Sequence, residues 1–369
     1  MSPESPATPA PTTAAPSAAP GAAGAGPEPT AADPVRMSVI GLGRLGRLHA
    51  ENVAGRVPGA RLVRVVDAVE DVARAQGERL GVPWSTDPAD ALADDVEAVV
   101  IVAPTPLHPE LIAQAAAAGK AIMCEKPIAS DLTAGRRAAA AADEAGVLLQ
   151  IGFHRRFDPA WAHARERIRQ GELGEVQLFR SQLWDQQAPA ASFLADSGGL
   201  YLDVTVHDLD CARWLVGEVE EVTAHGAVLV DQEIAAVGDL EIGVVTLKFA
   251  SGALGIIDNG RSAVYGYQAS GEVLGTQGAV RIGDDHRIHD LQWRTPEGAR
   301  TDWQGDFQTR FAPAYVAELE AFARAVRGGP ASGATGADAL AAQRLAAACE
   351  RSRAERRTVV VAELEDEGA

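Results

Sequence analysis

The sequence predicts an α/β fold: an N-terminal doubly wound parallel sheet followed by a C-terminal α+β domain with a large, mostly antiparallel open sheet. Three observations carry this reading. Strand-like and helical runs alternate from residue 35 to about residue 151. A glycine-patterned turn, Gly41-Leu42-Gly43-Arg44-Leu45-Gly46, stands between the first strand and the first helix. After residue 155 the alternation stops, and strand-like runs follow one another with only glycines and turn residues between them.

Each element has its own signal. Residues 35–41 form a short apolar run ending in glycine, and residues 44–55 have helical spacing. The second strand, 61–67, reads RLVRVVD, and the helix over 69–81 closes on Gly81. AVVIVA at 98–103 is an unbroken apolar run, which suits a strand buried on both faces of a parallel sheet. Helix 107–119, strand 121–124, helix 131–146 and strand 147–151 complete the alternation. Helices are then expected over 158–171 and 204–216, and strands over 219–230, 242–249, 253–258, 272–275 and 279–282. Helices over 311–327 and 337–353 close the body, with a last short strand over 358–362.

These elements give four segments. Residues 1–34 are a Pro/Ala-rich tail. Residues 35–155 are a dinucleotide-binding Rossmann domain, 156–362 a substrate-binding domain, and 363–369 an acidic tail with Glu363, Glu365, Asp366 and Glu367. Nine of the 21 prolines fall within the first 36 residues, with no apolar periodicity. Such a segment cannot offset its ordering entropy by burial, so it is expected to be a disordered, passive extension whose removal leaves folding and activity intact.

Composition removes several classes. A chain of 369 residues that is 47% hydrophobic suits two packed domains. Lys and Arg number 33 against 51 Asp and Glu, a net charge of −18 that repels phosphate backbones, so no nucleic-acid partner is expected. No apolar run approaches the roughly 18 residues that span a bilayer, and the N-terminus lacks the basic and apolar regions of a secretory signal. Cys124, Cys211 and Cys349 have no short-range pairing, which disfavours a disulfide framework or a zinc site and suits a reduced cytoplasm. No His/Cys/Asp cluster has ligand spacing, so no metal is expected.

The glycine turn carries the first chemistry. Gly41 allows the tight turn, Gly43 lets the backbone approach a pyrophosphate, and Gly46 lets helix and strand pack closely. The helix that opens at Arg44 and Leu45 offers free N–H groups and a partial positive charge. Asp67 ends the second strand 24 residues beyond Gly43. A carboxylate there accepts the adenosine ribose hydroxyls and repels a 2′-phosphate, so the expected cofactor is NAD rather than NADP. Arg64 and Arg74 nearby are read as surface residues.

Further stretches make the reading specific: TPLH at 105–108, GKAIMCEKP at 119–127, GFHRRFD at 152–158, GGLYLDVTVHDLD at 198–210, and YGY at 265–267 followed by EVLGTQGAV. In these motifs the chain resembles the glucose–fructose oxidoreductase/inositol dehydrogenase (Gfo/Idh/MocA) family over about residues 36–360, and within it the inositol 2-dehydrogenases. The resemblance implies NAD-dependent oxidation of a ring or sugar carbinol to the ketone, and a homo-oligomer, commonly a tetramer. It implies cofactor contacts from Gly41, Gly43, Arg44, Leu45, Gly46, Asp67, Thr105, His108, Glu125 and Lys126.

The residues also make chemical sense by themselves. Oxidising a carbinol needs a base for the hydroxyl proton and a hydride acceptor held against the carbon. Asp203 and His207 are spaced i, i+4, which puts both on one face at the start of a helix. An imidazole can take a proton at neutral pH, and a carboxylate beside it can fix its tautomer or bind a substrate hydroxyl. Lys126 leaves a strand just before Pro127, at the sheet edge where open α/β folds bind ligands, and its ammonium can steady developing alkoxide charge. Matching Lys, Asp and His residues play these roles in similar dehydrogenases. Lys126, Asp203 and His207 are therefore the expected catalytic residues.

Arg155, Asp185 and Tyr267 are the expected substrate residues. Arg155 has an interdomain ion pair as its alternative, and Asp185 a plain loop position. His154 stands where the family varies, and Asp210 is expected to extend an acidic wall. The tryptophans Trp161, Trp184, Trp214, Trp293 and Trp303, together with Cys124, are read as packing. Two other functions remain open: a biosynthetic sugar or amino-sugar oxidoreductase of the same family, and an NAD-binding redox sensor without turnover.

Overall fold

The computed structural model describes residues 33–283, 292–303 and 305–364. Residues 1–32 of the expected tail and 365–369 of the acidic end lie outside the described residues.

The first half alternates as its sequence does: β1 (Val35–Ile40), α1 (Arg44–Gly55), β2 (Ala60–Val66), α2 (Glu70–Leu80), β3 (Trp84–Ser85), β4 (Ala98–Ile101), α3 (His108–Ala117), β5 (Ala121–Glu125), α4 (Leu132–Ala145) and β6 (Leu149–Gly152). The six strands run in the order β3-β2-β1-β4-β5-β6, all parallel. The order reverses direction between β1 and β4, which opens a crevice at the carboxyl ends of the strands. Every residue of β4 is buried, as an unbroken apolar run between two helical layers requires.

The second half contains α5 (Pro159–Arg169), β7 (Val176–Trp184), α6 (Ala191–Asp196), a π-turn over Tyr201–Thr205, α7 (Val206–Leu215), β8 (Val219–Ala227), α8 (Gln232–Ala236), β9 (Ile242–Phe249), β10 (Leu254–Gly260), β11 (Gln268–Gly275) and β12 (Ala279–Ile282). A small hairpin, β13 (Trp293–Thr295) and β14 (Gly298–Arg300), precedes α9 (Phe307–Arg310), α10 (Ala312–Val326), α11 (Gly336–Glu355) and β15 (Val359–Val360). Seven strands form a mixed sheet in the order β12-β11-β7-β10-β9-β8-β15. Only the β7–β10 pair is parallel. Among the described residues, helices cover one face and the other is exposed.

Several details depart from the sequence reading. Strand β7 has no apolar alternation to reveal it, because one of its inward positions is Ser181, between buried Phe179 and Leu183. That serine donates to Asp208 Oδ1 at 2.5 Å. The strand expected over 219–230 stops at Ala227, because the amides of Leu229 and Val230 donate to the Glu241 carboxylate instead of a neighbouring strand. The helix expected from residue 204 begins as the π-turn, so Asp203 and His207 do not share a regular α-helical turn. The expected division at 155/156 also fails for α10: Leu319, Phe322 and Ala323 pack in one core with Val35, Met37, Val39 and Met123 of the parallel sheet. The chain therefore returns to its first half near its end.

Candidate functional site

The glycine turn folds as its spacing requires. Gly41 has φ +89°, and a Cβ there would lie 2.6 Å from Val102 backbone atoms. A Cβ on Gly46 would lie 1.9 Å from the Gly41 carbonyl oxygen. A Cβ on Gly43 would meet nothing within 4 Å, so open space lies beside the residue that caps α1. Asp67 accepts from the Leu42 amide at 2.7 Å and the Val69 amide at 2.9 Å, which anchors the carboxylate against the turn. Arg74 pairs with Glu70 and Asp71, and Arg64 with the Asp90 carbonyl and Asp95, so both cations near the end of β2 are engaged. Shaped glycines, a free helix N-terminus and an anchored acid fit a dinucleotide without a 2′-phosphate.

The other expected cofactor residues divide. Arg44 lies over the Phe307 ring at 4.7 Å, and Leu45 packs against a cluster that includes Leu183, Tyr267 and Phe311. Thr105 is half-buried in the turn after β4. His108 is buried with its ring nitrogens each 2.8 Å from a carbonyl, of Pro127 and Ala103, so its side chain ties two loops together and presents neither nitrogen to a ligand. Glu125 is buried with Oε1 2.7 Å from His49 Nε2.

At the carboxyl end of β5 two of the expected catalytic residues, Lys126 and Asp203, come together, with His207 near the lysine. Lys126 Nζ donates to Asp203 Oδ1 at 3.1 Å and to the Asp203 carbonyl at 2.7 Å, although 77 residues separate them. Arg261, fully buried, donates from Nη1 to Asp203 Oδ2 at 3.0 Å, and its Nη2 lies 2.7 Å from Asp239 Oδ2. Burial works to raise the Asp203 carboxyl, but Lys126 and Arg261 outweigh it and hold the group below its ordinary value. His207, in the first turn of α7, lies against Phe153 and His154, with ring centroids at 6.0 and 5.0 Å. Burial, together with the Lys126, His154 and Arg155 charges, pushes its imidazole well below the usual range. The ring is therefore neutral and able to accept a proton. Asp203 does not hold this ring, because both of its carboxylate oxygens are spent on cations.

Asp185 follows β7. Its amide donates to the Gly260 carbonyl at 3.0 Å, and its carbonyl accepts from Ala263 at 2.7 Å. Burial and the neighbouring Asp203 charge raise its carboxyl to about 6, against the pull of Arg261, Lys126 and Arg44. It thus belongs to the same charged group as Lys126, Asp203 and Arg261.

The remaining candidates sit differently. Arg155 is buried in an ion pair with Asp208 at 2.6 Å, and Asp208 also accepts from Ser181 and Asn259. This is the interdomain tie that was the alternative for Arg155. Asp210 forms no acidic wall: its two oxygens accept from Arg156 at 2.6 and 2.9 Å. Tyr267 is buried with Leu183, Leu200, Val204, Phe311 and Tyr315. Sequence reasoning missed Arg261 and Asp239, and no local signal marks them, because Arg261 meets Asp203 across 58 residues.

Residues 35–153 match the model of an oxidoreductase family with an NAD-binding Rossmann fold, and residues 161–281 match that of the GFO/IDH/MocA C-terminal domain. The scyllo-inositol 2-dehydrogenase (NAD(+)) of Bacillus subtilis is 41% identical over 308 residues, 83% of this chain and 90% of that protein. The chain belongs to the GFO/IDH/MocA oxidoreductase family. The inositol 2-dehydrogenase of Rhizobium meliloti is 40% identical over 89% of this chain and 99% of its own length. A solved structure of scyllo-inositol dehydrogenase from Lactobacillus casei, with bound NAD(H) and scyllo-inositol, matches with a TM-score of 0.84 and 31% identity over 89% of this chain and all of that one. NAD is the cofactor that the Rossmann half of this oxidoreductase is built to hold.

Proposed function

We propose that this chain oxidises a secondary alcohol of an inositol, or of a related cyclic polyol, to the ketone. The observation that carries the reading is the Lys126–Asp203 pair at the carboxyl edge of the parallel sheet, with His207 near enough to feel the Lys126 charge. Bound NAD supplies the hydride acceptor. Gly43 and the α1 N-terminus receive its pyrophosphate, and Asp67 its ribose. His207 Nδ1 is buried, which leaves Nε2 to take the hydroxyl proton. Lys126 Nζ donates to the same substrate oxygen and steadies its charge as the proton leaves. Asp203 holds Lys126 Nζ in place through its carboxylate and its carbonyl. Asp185 accepts a ring hydroxyl, and Tyr267 closes the wall behind the ring.

The test is NADH absorbance with a panel of free inositols set against nucleotide-linked and amino sugars. Turnover of an inositol that falls about 10²–10⁴-fold in His207→Ala, with NAD affinity kept, supports the reading. Turnover of the sugars alone moves the enzyme to biosynthetic chemistry. Asp67→Ser weakens NAD and admits NADP; an unchanged cofactor preference removes the ribose role.

The protein acts as a homo-oligomer, with a tetramer favoured. The support is the open sheet face, where Val244, Leu254, Ile256 and Leu274 stand exposed on three strands. Light scattering at micromolar concentration tests it, and a monomer refutes it. Three buried, unpaired cysteines suit the cytoplasm.

A further inference from the structure

His207 lacks the partner a catalytic histidine ordinarily has. Asp203 is committed to Lys126 and Arg261, and Asp208, the next residue in the chain, to Arg155, Ser181 and Asn259. Nδ1 of His207 is buried with no hydrogen bond. A base must still present one nitrogen in a fixed tautomer.

Two aromatic rings lie against the His207 ring. Phe153 meets it at 88° between ring planes, and His154 at 70° with centroids 5.0 Å apart. His154 is itself clamped. It stacks on Tyr315 at 4.6 Å and 29°, meets Phe311 at 4.6 Å and 66°, and Tyr315 is braced in turn by His49 at 5.5 Å. Phe153 contributes only hydrocarbon. His154 brings a polar ring, with Nε2 buried and unpartnered. Two adjacent imidazoles, each with an orphaned buried nitrogen, form a contact that a hydrocarbon side chain would not reproduce.

We propose that His154 is the positioning residue of the base, fixing the His207 ring and its tautomer so that Nε2 faces the substrate. The inference rests on His207 being the base. His154 faces Arg155 on its own turn, Lys126 after β5, His49 on α1, Arg310 on α9, Tyr315 on α10 and His207 on α7. Burial and these cations keep His154 neutral, so it adds no repelling charge as His207 becomes an imidazolium. Instead its ring dipole and π system lie against the charge that forms.

The experiment uses the full chain, NAD and the best inositol substrate, and compares wild type with His154→Phe and His154→Gln. In the phenylalanine variant kcat falls about tenfold, while KM and NAD affinity stay within about twofold. The acid limb of kcat/KM moves to lower pH, because the polar ring that lay against the forming imidazolium is gone. Glutamine, which keeps a polar atom at the contact, restores most of kcat. In protein labelled with ¹⁵N-histidine, the His207 signal, identified by its loss in His207→Gln, shows one neutral tautomer in wild type and a mixture in His154→Phe. A phenylalanine variant with wild-type kcat and an unmoved acid limb overturns the inference. So do phenylalanine and glutamine variants equally slowed with the wild-type tautomer intact, which would make His154 packing alone. If His154→Phe fails to fold, His154→Met is read by the same criteria. Full turnover in His207→Gln breaks the base assignment itself; an inactive His207→Gln beside a fully active His154→Phe breaks only this inference.

Discussion

Two carboxyl groups at the junction of the halves show what burial does with and without company. Asp203, largely buried within the π-turn, has a cation on each oxygen, and its carboxyl is held below its ordinary value. Glu318, on α10, is fully buried with neither oxygen hydrogen-bonded. Burial pushes its carboxyl well above the ordinary value, and the Glu125 and Asp210 charges push it further. The proposed site holds a charge because opposite charges arrive from distant strands, whereas on α10 the acid remains neutral. Desolvation is common to both groups; the count of cations decides the outcome.

The comparison breaks first at Lys126. In Lys126→Met, kcat is expected to fall about 10³-fold through loss of oxygen stabilisation, measured by NADH formation at saturating inositol. Wild-type kcat in that variant would mean that the pair with Asp203 is only structural. Next comes Arg261. Replacing it with Met strands Asp203 and Asp239, and removal of one partner from a buried pair costs about 3–5 kcal/mol. Urea denaturation reads this directly, and a change below about 1 kcal/mol would show that Lys126 alone balances Asp203.

Glu318 sharpens the contrast with the opposite sign. Its folded-state value is raised, so the folded chain keeps a proton that the unfolded chain loses above about pH 4.5. Each further pH unit costs the folded state about 1.4 kcal/mol while the group stays neutral. Glu318→Gln should therefore raise Tm, and by more at pH 8 than at pH 6. A gain independent of pH would mean that Glu318 is ionised in the folded protein.

The smallest effect is at mild acid. His108, His154 and His207 are all depressed by burial. Their stabilising contribution is complete above the unfolded value near 6.5 and is lost as pH falls toward the folded values, because only the unfolded chain takes up the protons. Tm between pH 7 and pH 5 should fall, and less steeply in His207→Gln. Equal slopes would place a charged His207 in the folded state.

The first half was the more legible. The strands and helices of the parallel sheet follow from runs of apolar residues and from glycines at their ends, both properties of neighbours in sequence. The glycine turn and Asp67 lie within one such unit, so spacing was enough to find them. In the second half β7 escaped notice because Ser181 occupies a core position, and that serine is there to serve Asp208. Arg155 and Asp210 suggested a site by their proximity to motifs, yet both are spent in buried ion pairs.

The sequence by itself determined the doubly wound sheet, the dinucleotide turn with its acid, and the lysine, aspartate and histidine proposed for the chemistry. Periodicity, turn residues and motif spacing are local, and local steric and solvation forces read them directly. Only the tertiary structure decided which charges meet. Arg261 reaches Asp203 across 58 residues, α10 returns to the first core, and His154 rather than a carboxylate lies against His207. The pairing of buried charges depends on distance in space, and the chain sets that distance only once it has folded.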